Sequence, residues 1–506
     1  MNYLELLQFA APEAIVAVTA LVVLTVGLIG GWRATGATVS TAGSGIAGDT
    51  PGAPPMGVCS AVAALGLALA IVAVLWLPQH ATFIHGMLVI SPLNSLFKVI
   101  VLLLALFTVL LAKAEHSLPN KGEYLAIVLL ATIGLMLLIG SEELLMMFIG
   151  LELTGLSLYI MTAFEKAEYA SAEAGLKYFL FGSIASAFTL FGLSFVYGLT
   201  GTTALAGIAQ AIAIAPIQPL FAAGIVMTLV GFAFKIAAAP FHFWAPDAYQ
   251  GAPVSAAGFI ASGSKVASFF VLGKIVLIGF GPMHGSAEWH AMTSGWTPLL
   301  ALLAAFSIVI GNFVALVQKN VRRLLAYSAV AHAGYTLLGL IAGGSEGFAA
   351  TLFYTTIYAI TLIGAFGVVG VVRRETGGDD LADFAGLRSR SPLLAACMAI
   401  FMLSLAGLPP LAGFFGKFYL FSAALRSGSN HGLLWLVALA LFGSLVSLYY
   451  YLIVLKAVFV DQSNEPDFAL RPDFLQRVAV AVLAGAVLLL GITPGILVER
   501  ILASFS

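Results

Sequence analysis

The chain has 506 residues, of which 61% are hydrophobic and 9% charged, with a mean hydropathy of +1.06. Soluble domains carry about 25% charged residues, so a single globular domain in water is excluded and a membrane protein with many spans is implied. A formal net charge of −1 leaves no basic footprint for nucleic acid, and two cysteines far apart in apolar runs, Cys59 and Cys397, exclude a disulfide framework, a zinc set and an iron–sulfur cluster.

The N-terminal stretch MNYLELLQFAAPEAIVAV contains Glu5 and Glu13 but no basic leader, so the first helix is expected to be retained. Runs long enough to span, about 20 apolar residues each, fall near residues 10–31, 58–77, 93–112, 122–140, 143–163, 174–199, 219–240, 254–280, 297–317, 323–342, 347–372, 392–425, 432–459 and 475–498. The predicted fold is an all-α polytopic membrane protein with about fourteen transmembrane helices. The 392–425 run is too long for one straight span and contains Pro409 and Pro410, while the 219–240 run continues as broken backbone to about Pro246. Residues 32–57 are rich in Gly, Ser, Thr and Pro and read as a flexible linker. Residues 200–216 read as a short amphipathic or irregular segment, and 373–391 and 461–474 as charged connections. Alternate loops on one side collect nearly all the loop cations, among them Lys113, Lys121, Lys319, Arg373, Arg374 and Arg388, whereas the other side has only Arg426 and Arg500. An excess of Lys and Arg marks the cytoplasmic side, which predicts that both termini are extracytoplasmic.

Two stretches stand out. In KIAAAPFHFWAPDAYQGAP, residues 235–253, Lys235 precedes Pro240 by five positions inside an apolar run. A charge at the bilayer centre costs about 2.5–3.5 kcal/mol even on the lenient scale, and broken backbone is tolerated there only against protein or a wet cavity. In LAGLPPLAGFFGKFYLF, residues 405–421, the order is reversed: Pro409 and Pro410 precede Lys417. Opposite order in two broken helices is what an inverted-topology repeat produces, and such pairs point to a transport site. The domain division that follows is helices 1–3 within 1–120, a first five-helix repeat at 121–280, a second at 297–459, and a last helix within 460–506.

Few ionisable residues lie deep in the spans. Glu152 is ten residues past Glu142, about 15 Å along a helix and so near the midplane. Lys235, Lys265 and Lys417 are similarly deep, and His332 sits in LLAYSAVAHAGYTLL. Glu152 precedes Lys235 by 83 positions and His332 precedes Lys417 by 85, as repeat mates would. Desolvation favours the neutral form of an amine and a nearby carboxylate favours the charged one, so Glu152 moving against Lys235 would switch that lysine between holding and releasing a proton. Histidine titrates near neutrality and carries a proton between two ring nitrogens. Glu152, Lys235, Lys265, His332 and Lys417 are therefore read as a proton relay at mid-membrane, joined by water and by hydroxyls such as Ser264 and Ser328. A bland alternative stands beside each: snorkelling for the three lysines, packing for His332. Lys98 and Lys274 are read as lysines that snorkel to an interface, Glu142 and Glu143 as interfacial, Asp247 as a cap or turn residue, and Lys177 as a helix-face partner of Glu173.

KIAAAPFHFWAPDAYQGAP, together with GLELTGLSLY, AGLKYF, GSKVASF, RRLLAYSAVAHAGY and LAGLPPLAGFFGKFYLF, resembles the antiporter-like subunits of respiratory complex I, NADH-quinone oxidoreductase, over roughly residues 120–460. The DAYQGAP ending and the lysine at 417 are most similar to the subunit N branch of that family. The resemblance implies a proton-translocating, non-redox subunit in a bacterial inner membrane, with Glu152 and Lys235 as a coupling pair, Lys265 as the central site, and Lys417 releasing protons outward. It implies no cofactor in this chain, NADH, flavin, iron–sulfur clusters and quinone being held elsewhere. It also implies neighbours: the antiporter-like subunit M on one side, the small subunits K and J on the other, and the lateral helix of subunit L. The competing reading is a subunit of a multi-subunit Na⁺/H⁺ antiporter with no redox partner.

Overall fold

The computed structural model describes residues 8–40, 57–115, 117–118, 120–214, 218–428, 431–462 and 473–505. The first third contains α1 (Ala11–Ser40), α2 (Gly57–Trp76), α3 (Pro92–Lys113), α4 (Lys121–Ile139) and α5 (Leu144–Thr162). There follow α6 (Tyr169–Thr200), α7 (Leu205–Ile214), α8 (Pro219–Lys235), α9 (Trp244–Gly251), α10 (Val254–Ala261) and α11 (Gly263–Lys274). The remainder contains α12 (Trp296–Ala315), α13 (Val321–Ala342), α14 (Gly344–Thr376), α15 (Pro392–Ala406), α16 (Ala412–Arg426), α17 (Leu434–Phe459), α18 (Phe474–Ile492) and α19 (Gly495–Ala503). Proline occupies the first turn of α3, α8 and α15, where its missing N–H costs nothing. Ser91 and Asn320 cap α3 and α13 by accepting from Asn94 N and Arg323 N, each at 3.1 Å.

Among the described residues twelve helices are long and apolar enough to cross a membrane. They match twelve of the predicted spans, and the two other predicted spans are the interrupted ones, in which α8 has 17 residues and α15 and α16 have 15 each. Three features depart from expectation. An antiparallel hairpin, β1 (Ala81–Phe83) paired with β2 (Leu88–Ile90), interrupts the all-helical plan between α2 and α3. The first helix continues to Ser40, so the expected linker cannot begin at residue 32; residues 41–56 lie outside the described residues, as do 463–472 of the expected 461–474 connection. The predicted 254–280 span is itself broken: α10 stops at Ser262 (φ −112°, ψ −82°), and a π-helical turn, Ile275–Gly279, follows α11.

Burial decides which helices form the centre. In the spans at Val254–Gly279 and Val321–Ala342 94% of the residues are buried and in Gly344–Thr376 89%, against 33% in Ala11–Ile29 and in α6. Lysine, histidine and tyrosine on α11, α13 and α14 therefore face protein, and the outer helices present leucine and phenylalanine outward, as Phe188 on α6 and Leu445 on α17 do. The α15–α16 joint is made by glycine: Gly407 ends α15 in the left-handed region (φ 86°), and a Cβ on Gly413 would lie 1.8 Å from Ser404 O.

Candidate functional site

In the first half, α5 and α8 bring Glu152 and Lys235 into one neighbourhood. Glu152 is half-buried and accepts from Ser186 Oγ on α6 at 2.5 Å. Lys235 is the last residue of α8, and the ring of Trp244, bonded to Phe234 O at 2.9 Å, holds the broken backbone behind it. Its ammonium meets α5 one turn beyond Glu152: a Cβ on Gly155 would lie 3.1 Å from Lys235 Nζ, and the Tyr159 ring lies 5.8 Å from it. No ion pair within 4.0 Å joins Glu152 to Lys235, so the two are near neighbours and not a closed pair.

The other candidates form one contiguous row. Lys265 donates to Ala329 O on α13 at 2.7 Å and sits 5.4 Å above the Tyr358 ring. Tyr358 packs 4.9 Å from the His332 ring. His332 has a hydroxyl on each ring nitrogen, Tyr354 Oη at 2.8 Å on Nδ1 and Tyr451 Oη at 3.0 Å on Nε2, and Tyr451 in turn meets Ser328 Oγ at 2.5 Å. Tyr335, 5.5 Å from the His332 ring, is overlaid by Lys417 Nζ at 5.2 Å. Lys417 donates to Ala406 O at 2.9 Å, an orphan carbonyl at the end of α15, and to Ser444 Oγ at 2.8 Å. The tyrosines at 335, 354, 358 and 451 were missed by sequence reasoning. Their signal was the spacing of Tyr354 and Tyr358, one turn apart, and of Tyr335 three residues past His332, which puts a phenol on the face of each neighbouring ring. Among the described residues no hydrogen bond or ring contact links Lys235 to Lys265, and Ser264 is buried.

Other expectations need correction. Lys98 and Lys274 do not snorkel: each is at most 3% exposed. Lys98 pairs with Glu13 at 2.6 Å, and Lys274 reaches Glu142 at 3.2 Å together with the carbonyls of Ile139 and Ser141 at 3.4 and 3.3 Å. Glu143 is buried and caps α5 through Leu145 N and Met146 N at 3.1 and 2.7 Å. Lys177 does pair with Glu173, at 2.7 Å, but also with Asp247 at 2.8 Å; Arg323 holds the same carboxylate at 2.7 Å, so α9 is pinned by two cations. Arg322, in the first turn of α13, is buried and bonded to Asp379 and to Ala252 O at 2.8 Å. In the turn after α3, Glu115 accepts from Val254 N at 2.6 Å and Ser255 Oγ at 2.5 Å; burial pushes its carboxyl above the usual range against the opposing Ser255 bond, and neighbouring Glu165 adds to the rise. Among the described residues no three His, Cys, Asp or Glu side chains gather as a metal site.

Residues 141–447, which include all five relay candidates, match the family model described as NADH:quinone oxidoreductase/Mrp antiporter, TM. A relative from Acidobacterium capsulatum named NADH-quinone oxidoreductase subunit N 2 is 47% identical over 86% of this chain and 90% of its own length. A chain of respiratory complex I from Thermus thermophilus superposes with a TM-score of 0.77 at 34% identity, covering 96% of this chain and 98% of that one. A chain of the Mrp complex from Dietzia superposes at 0.80 with 20% identity, covering 98% of this chain and 97% of that one, a likeness of fold. The chain belongs to the antiporter-like subunits of NADH-quinone oxidoreductase, in the subunit N branch of that family.

Proposed function

We propose that this chain is the proton-translocating membrane-arm subunit N of an NADH-quinone oxidoreductase in a bacterial membrane, converting energy released by electron transfer on other subunits into proton movement. The observation that carries the reading is the row Lys265, Tyr358, His332, Tyr335, Lys417, in which buried basic groups alternate with phenol rings at successive separations of 5.4, 4.9, 5.5 and 5.2 Å. Buried cations of this kind cost too much to keep as scaffolding alone. Glu152 and Lys235 act as the coupling pair: their separation leaves the amine able to lose its proton when the carboxylate withdraws and to regain it when the carboxylate returns. Lys265 then receives the proton and His332 passes it on.

The wider reading goes with it. The three broken spans and eleven unbroken ones make about fourteen spans, arranged as inverted repeats over 121–280 and 297–459, with both termini on the side opposite the basic loops. The subunit holds no redox group and sits between subunit M and the small subunits K and J, under the lateral helix of subunit L. The Mrp-type alternative shares the family model and the fold, but the Mrp chain that superposes is only 20% identical, against 47% for a subunit N relative.

The test is Lys235→Ala in the assembled complex, assayed in inside-out vesicles. Proton uptake is expected to fall to background and quinone reduction to slow with it, and Glu152→Gln to behave alike. Normal pumping by a fully assembled Lys235→Ala variant would refute the relay.

A further inference from the structure

Three helices that carry members of the row end at one cavity. It has a volume of about 450 Å³, and its floor is the α13–α14 joint from Ala342 to Gly344. Its walls include Leu277 just beyond α11 and Ser427 just beyond α16, and Glu288 lines it from the loop before α12. Since α13 starts beside Arg322 and Arg323, the cavity lies at the end of the bundle opposite the basic loops.

From that floor α14 runs towards mid-membrane with Gly347, Thr351, Tyr354 and Tyr358 at spacings of four, three and four, one helix face. The face lies tight on α13: a Cβ on Gly339 would sit 2.3 Å from Thr351 Oγ1, and one on Gly347 would sit 2.4 Å from Gly339 O. At its inner end Tyr354 Oη meets His332 Nδ1 at 2.8 Å. The ten residues from Gly344 to Tyr354 climb about 15 Å, half the hydrocarbon thickness. Lys417, by contrast, is bonded to Ala406 O and Ser444, neither of which lines this cavity.

We propose that protons leave the row here, from His332 through Tyr354 and the Thr351 hydroxyl to Glu288, and not from Lys417. The proposal rests on the translocation reading and names its outlet. Phenol and alcohol oxygens each donate and accept. The imidazolium Nδ1–H passes its proton to Tyr354 Oη as the phenol gives up its own proton outward towards Thr351 Oγ1, so Tyr354 remains a neutral phenol and His332 is left as neutral imidazole, ready for the next proton. Thr351 Oγ1 now donates to Gly347 O at 2.9 Å; it rotates to hand the proton, across bridging water, to the Glu288 carboxylate, which releases it to the aqueous phase.

The experiment compares Thr351→Val and Glu288→Gln with Thr361→Val, all in the assembled complex in inside-out vesicles, reading proton uptake against NADH oxidation. Thr361 is a matched control: it is fully buried on the same helix, back-bonded to Ile357 O at 2.7 Å, and lies beyond His332 from the cavity. Pumping is expected to fall severalfold in Thr351→Val and Glu288→Gln, to be restored in Thr351→Ser, and to be unchanged in Thr361→Val. Wild-type pumping by either of the first two, or equal loss in Thr361→Val, overturns the proposal. If Glu288→Gln does not assemble, Ser427→Cys supplies a second readout: a bulky membrane-impermeant maleimide applied from the cavity's side stops pumping if protons leave there, and continued pumping overturns the outlet. Lys235→Ala separates the two levels: if it is inactive while the outlet variants pump normally, only the outlet fails.

Discussion

Buried lysines must find a charge, a carbonyl or water, and the five in this chain's described core divide on that choice. Lys98 and Lys274 hold carboxylates, Lys265 and Lys417 hold neutral oxygens, and Lys235 faces a tyrosine ring and a glycine with Glu152 near but not paired. An amine on neutral acceptors can give up its proton without stranding a partner charge, whereas a closed ion pair cannot. The deep position of Lys235, Lys265 and Lys417 was readable, because each stands in an apolar run, whereas Lys98 and Lys274 were read as snorkelling and are buried. Their partners were not readable, because Glu13 is 85 positions from Lys98 and nothing local links them. Lys98→Ala is therefore expected to lower stability by about 3–5 kcal/mol, since Glu13 is 7% exposed and would keep an unpaired charge. Replacing both, Glu13→Gln with Lys98→Met, should recover most of that loss in thermal unfolding of the detergent-solubilised complex. If the double variant is as unstable as the single one, packing and not charge holds α1 to α3.

Among the elements, the broken helices carry the site, and proline announced two of the three. Pro240 and Pro409–Pro410 cannot continue a helix, so the ends of α8 and α15 were legible. The break at Ser262 was passed over, since no proline marks it; its signal was the weak helix-forming run Ser262-Gly263-Ser264 inside an otherwise apolar span. The joint between α15 and α16 depends on close approach as much as on proline. Gly413→Ala would place a methyl 1.8 Å from Ser404 O, a backbone atom that cannot swing aside. We expect that variant to lose assembly or, if it assembles, to shift Lys417 off Ala406 O and cut proton uptake more than Gly485→Ala, whose Cβ would meet open space. Equal behaviour of the two variants would show that the joint has slack.

Across the whole molecule, the basic-loop end is laced together by charge. Asp379 accepts from Arg322, from Arg373 at 2.8 Å and from Asn320, joining the start of α13 to the end of α14. Burial alone would raise its carboxyl, but Arg322 and Arg373 outweigh it and hold it below the usual carboxylate range. A folded value below the unfolded one, about 3.9, means the tie contributes fully above that pH and is lost as pH falls through the folded value. Asp379→Asn should thus cost about 3–5 kcal/mol at neutral pH, and the gap between variant and wild type in unfolding temperature should close below about pH 4. A gap that persists in acid would mean the loss is one of hydrogen bonding alone.

Composition and periodicity by themselves determined that the chain crosses a membrane many times, where most spans lie, and which polar residues are stranded in apolar runs, because the cost of bare charge and bare backbone in hydrocarbon is paid locally. Only the tertiary structure decided which stranded residues meet. Contacts such as His332 with Tyr354 and Tyr451, or Lys417 with Ala406 O, depend on how helices far apart in sequence cross, and on glycines that let them approach. That crossing geometry is set by the packing of the whole bundle and not by any stretch of it.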